Sequence, residues 1–114
     1  MPLPGRAWHL RIEDILAAVE RAQRYTAMDL ASFLADEKAV DAVCHCFGVI
    51  GEAARHVPED VVVANPDLPW ADRRGMRNVV VHEYFGVTNE TLWKTAREDL
   101  PALVDRLRGL LAAR

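Results

Sequence analysis

A chain of 114 residues has room for one hydrophobic core and not for two, so a single domain spanning 1–114 is expected. Its 51% apolar and 27% charged residues exclude a disordered chain. The net charge of -3 excludes a surface that binds nucleic acid indiscriminately, so any RNA contact has to come from a local basic patch. No window approaches a membrane span, and the opening residues MPLPGRAWH lack an apolar run of signal-peptide length. A cytoplasmic protein with no membrane contact is the expectation.

In chain order, Ile12, Ile15, Leu16, Val19 and Ala22 recur at three- and four-residue steps and predict an amphipathic helix from about residue 8 to residue 27. Asp29 reads as the cap of a short helical turn, LASFL. Asp36 caps the second long helix, with Val40, Val43, Phe47, Ile50 and Ala54 on its apolar face, and Pro58 stops it. The stretch PEDVVVANPDLPW, with three prolines, reads as the main loop.

Residues 70–85 follow as a third long helix, with Gly86 placed for a left-handed cap. The β-branched runs Val61–Val63 and Val79–Val81 also suit short strands, but an isolated strand pair is marginal in water. The last helix starts near Thr88 or Asn89. It carries Leu92, Ala96, Leu100, Leu103, Leu107 and Leu110 on one face, and Pro101 should kink it near Arg97. The fold class is therefore all-α, an antiparallel four-helix bundle with a kinked last helix.

Cys44 and Cys46 lie two apart on a helix, point to nearly opposite sides and cannot bridge. The triplet Cys44-His45-Cys46 lacks a second ligand pair at zinc spacing, so it reads as two small core or interface thiols. Gly48 and Gly51 would let a second helix come close, either within the chain or across a dimer face. Glu52 is either a buried partner for Arg77 or a surface charge. Trp70 and Trp93 read as core residues, with base stacking as the rarer alternative.

The third helix concentrates the chemistry. Arg73, Arg74 and Arg77 precede Asn78, His82, Glu83 and Tyr84. Histidine titrates near neutral pH and can take the proton from a ribose 2′-hydroxyl. Arginine can neutralise the charge that builds on phosphoryl oxygens. Such a reaction needs neither metal nor cofactor, and no carboxylate cluster stands near the motif. On an ideal helix Arg77 and His82 lie about 140° apart, so they converge only through arginine's reach, a distorted last turn, or pairing across a dimer. By spacing alone the same residues also describe a solvated helix face with one core histidine.

The order R-N-x-x-x-H-x-Y, read here as Arg77, Asn78, His82 and Tyr84, resembles the signature of HEPN domains, specifically the HepT-like toxin family. The likeness runs through EDIL at 13–16, DEKAVDAV at 36–43, IGEAA at 50–54, LPW at 68–70, GMRNVVVHEYFGV at 75–87, and LW followed by EDLP at 98–101. It covers nearly the whole chain. The resemblance implies a helical bundle that forms a homodimer with its motifs near the seam, and a metal-independent endoribonuclease toxin acting on RNA. It also implies a minimal nucleotidyltransferase antitoxin that adds AMP to Tyr84. Arg77 and His82 become the catalytic pair and Asn78 their support. Two other functions stay open: a subunit of a nucleotidyltransferase that binds nucleotide or partner without cutting, and a plain helical oligomerisation module.

Overall fold

The computed structural model describes residues 4–66 and 88–112, with side chains from residue 8 onward. Every element among the described residues is helical and none is a strand, so the fold is all-α. Helix α1 spans Pro4–Tyr25, α2 Leu30–Leu34, α3 Glu37–Arg55 and α4 Glu59–Ala64. After residue 87, α5 spans Asn89–Lys94, a π-helical turn Thr95–Asp99 follows, and α6 runs Leu100–Ala112. Packing is centred on α1, whose main partner is α3; α6 and the π turn also rest on α1, while α2 touches α3 and α5. No helix among the described residues is long and apolar enough to cross a membrane. The third long helix expected at residues 70–85 lies outside the described residues, and so does the Val79–Val81 run.

The apolar stripes seen in the sequence meet in one core. Ile12, Ile15, Ala18, Val19 and Ala22 of α1 face Val40, Val43, Phe47, Ile50 and Ala54 of α3, with Leu92, Ala96, Leu100, Leu103 and Leu107 closing over them. Leu16 and Leu110, expected among these, are only partly buried at its margin. Phe33, from the short α2, is fully buried and plugs the core next to α3 and α5. Truncating Phe47 to alanine should cost about 3–5 kcal/mol, a large share of a small domain's stability, measurable as a shift of the urea midpoint. An unchanged midpoint would mean that the α1–α3 seam is not the load-carrying contact.

The helix starts follow from local chemistry. Asp29 accepts from the Ser32 backbone N–H at 2.8 Å, and Asp36 from that of Ala39 at 3.1 Å, each satisfying a donor that a first turn leaves open. The Ser32 backbone and then its hydroxyl hold the Asp29 carboxyl below its ordinary 3.8. A lowered pKa stabilises the fold above the ordinary value, and that support fades as pH falls through the folded one. Asp36→Ala should lower stability by about 1 kcal/mol in a denaturant titration, and a value near zero would mean that the α3 cap is idle.

Three boundaries differ from the sequence expectation. Helix α1 begins at Pro4 rather than near residue 8 and ends at Tyr25 rather than Ala27. A proline in the first turn loses no hydrogen bond, so it opens a helix readily. The supposed main loop contains α4, Glu59–Ala64, and the Val61–Val63 run is helical. Glu59 and Asp60 favour the positive end of its dipole, the Asn65 side chain donates to the Val61 carbonyl at 2.9 Å, and Val61 and Val62 pack on the core. These contacts outweigh the modest helix penalty of β-branched residues, a few tenths of a kcal/mol each, about what one cap returns.

The third difference lies in the last helix. Pro101 has no N–H to offer the Arg97 carbonyl, and the chain answers with the π turn, in which the Leu100 N–H reaches back five residues to the Thr95 carbonyl. The expected departure near Arg97 is therefore a change of helical register. It keeps both Ala96 and Leu100 in the core.

Candidate active site

The signature residues sit between two capped helix ends. On the N-terminal side, Asn65 closes α4, its backbone N–H on the Val62 carbonyl. On the C-terminal side, the Thr88 hydroxyl accepts from the Thr91 N–H at 3.2 Å and opens α5. Arg77, Asn78, His82 and Tyr84 lie in between and outside the described residues, as do Trp70, Arg73, Arg74, Glu83 and Gly86. Their chemistry rests on residue type and order.

The helices that follow them in the chain are tied to α1 and the turn after it. Trp93 donates its indole N–H to the Met28 carbonyl at 3.0 Å and packs against the core, which pins α5 to the turn after α1. Expected in the core, Trp93 is only partly buried at the core's margin. Arg97 donates to the Gln23 carbonyl at 3.3 Å, and Arg108 pairs with Glu20 at 3.0 Å, so two cations of the last helix are tied to α1. Exposed pairs of this kind contribute little individually. The last helix is seated chiefly by its buried face, Leu100, Leu103 and Leu107.

Glu52 resolves partly. Its two oxygens meet Arg55 at 3.3 Å and His56 at 3.2 Å, and its side chain is 46% exposed. It is thus a half-exposed carboxylate engaged on its own helix, not a fully buried charge; the alternative partner Arg77 lies outside the described residues. The Glu52–His56 pairing was not singled out from the sequence, although its four-residue spacing on a helix signals it.

At Gly48 an added Cβ would meet nothing within 4 Å, so no close approach among the described residues requires this glycine. Gly51 is buried. The two cysteines are not bridged; Cys46 is buried in the core and Cys44 packs at its edge. Burial pushes the Cys46 thiol above its ordinary 9.0, against the pull of Arg21 and Arg24. A raised pKa means that the folded chain resists ionisation, so its stabilising effect is complete below 9.0 and lost as pH rises through the folded value. Thiol labelling at neutral pH should therefore leave Cys46 unmodified until the protein unfolds, and fast native-state labelling would contradict its burial. Among the described residues no group of three His, Cys, Asp or Glu side chains could hold a metal ion.

Similarity to known proteins bears on the rest. A probable ribonuclease HepT of Thermococcus cleftensis is 37% identical over 100 residues, covering 87% of this chain and 91% of that protein. A provisionally named RNase of Methanocaldococcus jannaschii is 33% identical over 102 residues, covering 89% of this chain and 88% of its own. A second from the same organism is 32% identical over 102 residues, with 89% and 84% covered. No solved structure matches the chain significantly. The family model described as "Ribonuclease HepT-like" matches residues 15–110, a span running from the first helix of the core to the last and containing the whole R-N-x-x-x-H-x-Y segment; the chain belongs to the HepT-like ribonuclease family.

Proposed function

We propose that this protein is a metal-independent endoribonuclease and the toxin half of a toxin–antitoxin pair. The observation that carries this reading is the family match over residues 15–110, within which Arg77, Asn78, His82 and Tyr84 all stand in the signature order. The relatives' names as ribonucleases support the reaction class.

In the proposed mechanism His82 removes the proton from a ribose 2′-hydroxyl. The oxygen attacks the adjacent phosphorus, and the bond to the 5′-oxygen of the next nucleotide breaks as that oxygen takes up a proton from water. Arg77 neutralises the charge on the phosphoryl oxygens, and Asn78 orients the imidazole or the phosphate. The products are a cyclic phosphate and a 5′-hydroxyl. No metal takes part.

The same residues argue for a homodimer. One arginine and one histidine about 140° apart on a single helix clamp a phosphate poorly, whereas two copies across a twofold axis form one basic cleft. A local cleft also reconciles RNA binding with a net charge of -3. Sedimentation at micromolar concentration should give a dimer; a monomer with full activity would overturn this arrangement. The proposed partner is a minimal nucleotidyltransferase that silences the site by adding AMP to Tyr84.

Inducible expression tests the toxin assignment. Wild type should arrest growth and His82→Ala should not, at equal protein levels. Equal toxicity of both would remove His82 from the mechanism. Harmless wild type accumulating as folded protein would favour a subunit that binds nucleotide or partner without cutting RNA.

A further inference from the structure

We draw no further inference here: the strongest candidate, the half-exposed cluster at the end of α3 where Glu52 pairs with Arg55 and His56, carries nothing, because these are same-helix surface ion pairs and nothing in the structure shows what ligand or reacting group they face.

Discussion

Replacing His82 by alanine should slow RNA cleavage by roughly 10²–10⁴-fold, the range that a positioned general base supplies. Arg77→Ala should cost about 10²–10³-fold, because the arginine pairs with the phosphate's existing charge and more strongly with the second charge that develops as the phosphorus becomes five-coordinate. Binding of intact RNA should weaken much less in His82→Ala than in Arg77→Ala, since a neutral imidazole adds little to phosphate affinity. Both variants should keep the wild-type helical content and melting temperature. If His82→Ala instead melts well below wild type, the histidine is a packing residue and the catalytic assignment fails.

Addition of AMP to Tyr84 should abolish activity in a single covalent event. On an ideal helix Tyr84 lies seven residues after Arg77, about 20° around the axis and two turns along it, so the two share a face. A phosphate on the tyrosine oxygen would pair with the arginines meant for RNA, and the attached nucleoside would fill the cleft. Co-expression with a minimal nucleotidyltransferase, followed by intact-mass and peptide mass spectrometry, should find AMP on Tyr84 and none on Tyr25. Tyr25 is partly buried against the core, which limits access to its hydroxyl. Tyr84→Phe should stay toxic in the presence of the partner. An unmodified Tyr84 in a neutralised complex would mean inhibition by binding alone.

The fold and the site were legible to different degrees, for identifiable reasons. The stripes of α1 and α3 were readable because their apolar residues recur at helical period over about three and four turns, and all five of Val40, Val43, Phe47, Ile50 and Ala54 are buried. Asp29 and Asp36 were readable as caps because a short carboxylate three residues before an open N–H has few other uses. Helix α4 was missed because the prolines flanking it and its own valines both argue locally against helix. What holds it is the Asn65 side-chain bond to the Val61 carbonyl and the packing of Val61 and Val62 against the core, a contact that no local pattern records. The π turn was half legible: Pro101 announced a lost hydrogen bond at Arg97, but not that the chain would shift register to keep Ala96 and Leu100 buried. The proposed catalytic set was legible only as an ordered motif. Helical spacing alone places Arg77 and His82 too far apart to cooperate, so periodicity argues against the pair that the residue order selects.

Incubation of the purified protein with end-labelled RNA in excess EDTA tests the central claim most directly, with His82→Ala alongside. Wild type should release fragments ending in a 2′,3′-cyclic phosphate, because attack by the neighbouring 2′-hydroxyl leaves that group and needs no metal, while the folded His82→Ala protein should leave the RNA whole. Intact RNA in the presence of folded, dimeric wild type would contradict the account, and so would cleavage that stops in EDTA or continues undiminished without His82.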